Sequence, residues 1–154
     1  LIVSLMGGWV MLMLAKNLQK KIFGMIGLAP APDFPKLLIW DKINYNQKTS
    51  LIKNREINIK NEDGSENTFS YKLIKDRLKN LVLSENLHFE GPVYLYHGMA
   101  DNDVSYELSI DITKKIIGTQ NVNLLLDKTA GHRLSDAKQL KKIINIIETV
   151  KNQD

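Results

Sequence analysis

Short apolar runs set between helical patterns constrain this chain more than any other feature. Ile22–Ala29 reads Ile-Phe-Gly-Met-Ile-Gly-Leu-Ala, almost continuously apolar, and Pro30-Ala-Pro32-Asp33 stops it. That texture belongs to a parallel strand covered on both faces. Val93–Tyr96, just after Pro92, and Val122–Leu126 read as two further strands. Around them lie helices. Met6–Gln19 is apolar on nearly every face until Lys16, which predicts a helix buried on most sides. Tyr106–Ile117 places Leu108, Ile112 and Ile116 on one face and is stopped by Gly118. A closing helix, with Ser135 as its N-cap, would line its inner face with Leu140, Ile143, Ile144, Ile147 and Val150. Strands alternating with helices predict an α/β fold, a mostly parallel sheet flanked by helices.

The stretch from about 33 to 90 has another texture, polar and rich in lysine and asparagine. Leu37–Ile43 reads as helical. Ile57–Lys60 alternates apolar with polar, Asp63-Gly64 marks a turn, and Thr68–Tyr71 alternates again, which predicts a β-hairpin. Tyr71–Leu81 then places Leu73, Ile74, Leu78 and Leu81 at helical spacing. With 154 residues the chain has the length of one domain, 1–154, and the helix-and-hairpin segment reads as a cap insertion over the strand ends.

The first nine residues carry the chemistry. Leu1–Val3 is an apolar strand end that runs through Ser4-Leu5-Met6 into Gly7-Gly8 and the first helix. This is the layout of a nucleophile elbow, G-x-S-x-G, in which the nucleophile sits on a sharp strand-to-helix turn. On that template Leu5 takes the nucleophile position and Val3 that of the first glycine. Ser4 is adjacent, but its side chain leaves the turn in a different direction. Two later loops complete the pattern. Asp101 follows His97 at the carboxyl end of a strand, where α/β folds place their sites. His132 follows Gly131 in the loop after the next strand. An Asp and a His so placed can meet above neighbouring strand ends, the carboxylate accepting the imidazole N–H. Taken singly, each has a plainer reading, Asp101 as a turn residue and His132 as an exposed loop histidine.

Met6-Gly-Gly-Trp9, His97-Gly-Met-Ala-Asp-Asn-Asp-Val104 and Gly131-His-Arg-Leu-Ser135 together resemble the α/β-hydrolase superfamily. They are most similar to a branch of serine esterases and acyl-protein thioesterases. In that branch the elbow usually reads G-S-S-M-G-G-W, the acid follows H-G-M-x-D, and the base sits in H-R-L-S. The resemblance implies Asp101 as triad acid and His132 as triad base, with the cap shaping an acyl-binding cleft. It implies the backbone N–H of Met6 as one oxyanion donor. Asp103 is the second candidate acid, two residues late for the pattern, and Ser105 stands where proline is common.

Set against the branch, the chain corresponds to the C-terminal part of the fold, a truncated α/β-hydrolase: the tail of the fifth strand and three more. The N-terminal half, with the second oxyanion donor, lies outside it. Leucine has no nucleophilic atom, so the ancestral ester or thioester hydrolysis by a Ser-His-Asp triad is expected to be lost. The alternative is a non-catalytic interaction module, or one half of a split hydrolase pairing with a separately encoded N-terminal half. Self-association through the exposed sheet edge is the related expectation.

Other classes are excluded on composition. The net charge of +4 is scattered among acids and asparagines, with no aromatic-interleaved basic motif for nucleic acid. Leu1–Ala15 is too short to cross a bilayer, and its basic residues follow it. Zero cysteines remove disulfides and thiolate metal sites and fit a reducing, cytoplasmic setting. His88 has no partner at ligand spacing, so neither metal nor cofactor is expected. The expected small-molecule partner is an acyl ester or thioester.

Overall fold

The computed structural model describes every residue except 61–63, 65, 78 and 154. In chain order it begins with β1 (Ile2–Ser4), α1 (Met6–Leu18), a 3-10 turn (Gln19–Lys21) and β2 (Met25–Leu28). A π-helical turn (Pro35–Trp40), α2 (Tyr45–Asn54), β3 (Glu56–Lys60), β4 (Glu66–Ser70) and α3 (Tyr71–Arg77) follow. The chain closes with β5 (Leu87–His88), β6 (Val93–Gly98), α4 (Glu107–Lys115), β7 (Ile116–Ile117), β8 (Val122–Asp127) and α5 (Ala137–Lys151). These elements form two compact units, Leu1–Pro32 with Val82–Asp154, and Asp33–Leu81.

The first unit is the α/β layer structure. Four strands pair in the order β1-β2-β6-β8, and every pairing is parallel. All four carboxyl ends therefore point to one end of the sheet. The period-two alternation of strands splits the core into two layers. Met25, Val93 and Leu95 pack with Met11, Leu12 and Ala15 of α1 and Ile112 of α4. Their neighbours Ile26 and Tyr96 pack with Ile146 and Val150 of α5 on the opposite face. A sheet covered on both sides is what the apolar run at Ile22–Ala29 predicts. Each such side chain, fully buried, contributes about 1.5–3 kcal/mol. Close packing of α1 depends on Gly8, where a Cβ would lie 2.4 Å from Cβ of Pro30.

Several expectations are corrected. α1 is not buried on most sides: Met6 (48%), Val10 (39%), Leu14 (38%) and Leu18 (43%) form an exposed stripe at i,i+4 spacing. Only Met25–Leu28 of the Ile22–Ala29 run is strand, and it is interior, between β1 and β6, so the edge strands among the described residues are β1 and β8. Ile116-Ile117 leaves the helix register to pair in parallel with Leu87-His88. The cap of α5 is Asp136, not Ser135. Asp136 accepts from the Gln139 N–H while the Gln139 side chain accepts from the Asp136 N–H. Leu140 and Ile144, expected on the inner face, are exposed, and Ile146 and Val150 are the buried positions. No helix among the described residues is long and apolar enough to cross a membrane.

The second unit contains the expected hairpin, with β3 and β4 antiparallel and Ile57 opposite Phe69. Of the expected Asp63-Gly64 turn, Asp63 lies outside the described residues, while Gly64 has the left-handed φ of 81°. The Leu37–Ile43 helix is instead the π-helical turn. α3 ends at Arg77, and Leu78 lies outside the described residues. The polar helix α2, absent from the sequence reading, starts on a capping box between Asn44 and Gln47. The unit closes at Leu81 rather than near 90, because Leu87 and Phe89 join the core of the first unit.

Candidate active site

Leu5 makes the turn from β1 to α1 by itself, with φ 51° and ψ −123°. Its N–H donates to the Leu28 carbonyl (3.1 Å), and its own carbonyl accepts from Gly8 (2.9 Å) and Ala31 (2.9 Å). Three backbone bonds thus hold a conformation that leucine disfavours. Gly7 makes room for Val3, whose Cβ lies 3.0 Å from where a Gly7 Cβ would sit. Ser4 is the last residue of β1, in register with Leu28, one position before the apex. The first backbone N–H of α1 is that of Met6. The turn therefore has the strand–apex–helix form of an elbow, with leucine at the apex.

At the same end of the sheet, the loops after β6 and β8 bring Asp101 and His132 together. Nδ1 of His132 lies 2.9 Å from Oδ2 and 3.1 Å from Oδ1 of Asp101. A carboxylate only accepts, so Nδ1 carries the proton and donates. The Asp101 side chain is fully buried, while a quarter of the His132 side chain is open. Asp101 also accepts on Oδ1 from the N–H groups of Asp103 (2.9 Å) and Val104 (2.8 Å). Burial pushes its carboxyl up, but the hydrogen bonds from His97, Val104 and His132 outweigh it and hold the group down at about 2. Asp103, the second candidate acid, approaches the other ring nitrogen, its Oδ2 lying 3.8 Å from Nε2 of His132.

The two loops are tied through backbone. Met99 N–H donates to the Asp127 carbonyl (2.8 Å) and Ala100 N–H to the Ala130 carbonyl (3.0 Å). A Cβ at Gly98 would lie 2.1 Å from the Ala130 oxygen, so only glycine permits that approach. Asp127 anchors the second loop: its carboxylate accepts from the Tyr96 hydroxyl (3.0 Å) and from Lys142. The adjacent Lys142 ammonium holds the Asp127 carboxyl down at about 2.

Asp101, Asp103 and His132 also lie close enough to share a cation. Both Asp101 oxygens already accept N–H donors, which a cation would have to displace. The donor set suits an imidazole. Of the candidates read from the sequence, Asp101, Asp103 and His132 come into contact, and Leu5, Ser4 and Met6 form the turn after β1. His97, which backs Asp101, and Ser109, which bonds His97, are site residues that the sequence motifs do not single out. The signal was His97 itself, four residues before the acid on an apolar strand.

No family model matches this sequence. The chain is 27% identical to the human mitochondrial palmitoyl-protein thioesterase ABHD10, covering 96% of this chain and 48% of that protein. In structure it resembles a putative hydrolase from Agrobacterium vitis, with TM-score 0.89 and 29% identity over 97% of this chain and 59% of that one. It also resembles mouse alpha/beta hydrolase domain-containing protein 10, with TM-score 0.87 and 24% identity over 99% and 61%. The chain thus spans about half the length of the curated relatives it matches.

Proposed function

The chain carries the α/β-hydrolase fold, and from that premise we propose an ester- or thioester-hydrolysing chemistry built on Asp101 and His132 and arrested at Leu5. The 2.9 Å bond from His132 to Asp101 carries this reading. With Nδ1–H donated to the carboxylate, Nε2 is the basic nitrogen. In acyl transfer that nitrogen takes the proton of a hydroxyl nucleophile and later returns it to the leaving group, while the carboxylate stabilises the imidazolium. The nucleophile belongs at the apex between β1 and α1. Leucine there has neither a lone pair nor an exchangeable proton, so no acyl-enzyme forms through it. The Met6 N–H, at the start of α1, is the position of an oxyanion donor. The substrate class that goes with this chemistry is a small-molecule acyl ester or thioester, in keeping with the thioesterase named among the similar proteins.

The test is labelling with a fluorophosphonate probe beside a thioester hydrolysis assay. The purified chain is expected to take no label and to turn over no substrate above buffer. Stoichiometric labelling mapped to Ser4 would sink the reading and make Ser4 the nucleophile.

A second reading is favoured by the open edge of β1 and the apolar stripe of α1. Here the chain is one half of a split hydrolase, pairing through β1 with a separately encoded N-terminal half. Co-expression with an adjacent frame encoding such a half decides it: a one-to-one complex supports pairing, and two chains that purify apart reject it.

A further inference from the structure

Behind Asp101 lies a fully buried histidine that the acyl-transfer scheme does not use. His97 is the fifth residue of β6, and both its ring nitrogens are engaged. Nε2 lies 3.0 Å from the Val104 carbonyl and 3.3 Å from Oδ2 of Asp101. Both neighbours accept only, so Nε2 carries a proton. Nδ1 lies 2.7 Å from Oγ of Ser109 on α4, whose side chain is also buried. The Ser109 hydroxyl can donate to a bare Nδ1, which completes the ring's bonding.

We propose that His97, held in its Nε2–H form by the Val104 carbonyl and the Asp101 carboxylate and bonded at Nδ1 by Ser109, is the positioning residue of the Asp101–His132 pair. The physical reason is the shape of the carboxylate's surroundings. The Asp103 and Val104 N–H groups fix Oδ1, and Oδ2 is left to His97 and His132. Without the Nε2–H donor, Oδ2 has one partner, and the carboxylate plane can rotate about χ2, a soft torsion. Rotation removes the two-oxygen contact that holds the His132 ring with its proton on Nδ1. His97 also ties the Val104 carbonyl, so the loop following Asp101 is locked to the strand preceding it. The acceptors at Nε2 fix the tautomer, and the Ser109 hydroxyl, which can donate or accept, completes it by donating to Nδ1.

The inference rests on the acid–base reading of Asp101 and His132, so the experiment must separate the two. The chain has three histidines, which makes selective ¹⁵N-histidine labelling readable without full assignment. Ring nitrogen spectra are recorded in solution, or by magic-angle spinning if the chain sediments. The expected result is Nε2–H for His97 and Nδ1–H for His132. In His97→Leu, which keeps apolar volume but loses the donor, His132 is expected to pass to a mixture of tautomers. His97→Gln keeps an N–H in the place of Nε2 and is expected to restore the His132 signature. Ser109→Ala is expected to leave the His97 proton on Nε2, where both acceptors remain, and to move only the Nδ1 signal by loss of the hydroxyl. An Nε2–H form of His132 in the parent chain overturns the acid–base reading. An Nδ1–H form of His97, or a His132 signature unmoved by His97→Leu, overturns the positioning role while leaving that reading intact. If His97→Leu fails to fold, the parent spectrum still tests both tautomers, and a His132 signature lost in His97→Gln overturns the positioning role.

Discussion

Leu5 occupies backbone space that a Cβ makes costly. Its φ of 51° with ψ of −123° lies outside the broad allowed regions, and strain of this kind costs on the order of 1–3 kcal/mol. The three backbone bonds around Leu5 offset that cost, so the turn persists with a residue that gains nothing from it. Leu5→Ala and Leu5→Gly both delete the side chain, but only glycine adopts positive φ freely. Leu5→Gly is therefore expected to be more stable than Leu5→Ala by about 1 kcal/mol in thermal unfolding. Equal stabilities would mean that the apex carries no strain. Asp101 gives a second residue-scale prediction. Its carboxyl sits at about 2 in the folded chain against an ordinary 3.8, so the folded state favours the charged form. That stabilisation is fully present above the ordinary value and fades as pH falls through about 2. By linkage it is on the order of 2 kcal/mol. Asp101→Asn is expected to flatten the pH dependence of stability between about pH 5 and 2 by that amount. An unchanged slope would place the acid-sensitive group elsewhere.

At the scale of elements, the site depends on how closely β6 and the loop after β8 approach. Gly98 is the point of contact, and a methyl group there would overlap the Ala130 carbonyl. Gly98→Ala is expected to cost about 3 kcal/mol or more, because backbone rather than a flexible side chain must move. It should also disturb the His132 ring spectrum, since Ala130 lies two residues before it. A neutral substitution would show that this loop yields. The elements themselves were unequally legible in the sequence. Apolar runs announced β2, β6 and β8, and the hairpin followed from alternation. The Asp101–His132 contact followed from its place after two strands that neighbour each other in the sheet. What stayed hidden had weaker local signals. α2 has a single buried side chain, Leu51, so no apolar stripe marked it, and its capping box was the only sign. β5 and β7 are two residues each and exist through pairing across sequence, which no local pattern encodes. The apolar residues of α1 satisfied a buried-helix pattern although only part of that surface meets a neighbour.

At the scale of the molecule, the sheet is finished unequally. One end strand, β8, carries Asn123 and Asp127 and is followed by Lys128. At the other end β1 has one strand neighbour among the described residues, and neither charge, proline nor bulge blunts Ile2–Ser4. Such an edge is a template for pairing. Beside it in the chain, α1 exposes Met6, Val10, Leu14 and Leu18 along one line, and Leu1 and Ile2 are also exposed. Contiguous apolar surface beyond a few hundred Å² marks a contact surface on a soluble protein. Each of these side chains would regain up to about 1.5–3 kcal/mol on full burial, against a total stability of about 5–15 kcal/mol for a domain. The 154-residue chain alone is therefore expected to self-associate at tens of micromolar, with the β1 edge and the α1 stripe inside the contact. Sedimentation velocity is the measurement. Val10→Glu combined with Leu14→Lys places opposite charges one turn apart on the stripe without touching the core face, and should return the chain to a monomer. A parent chain that sediments as a monomer and unfolds in one cooperative transition would mean that this surface is stable in water. The split-hydrolase reading would then lose the physical reason for a partner at β1.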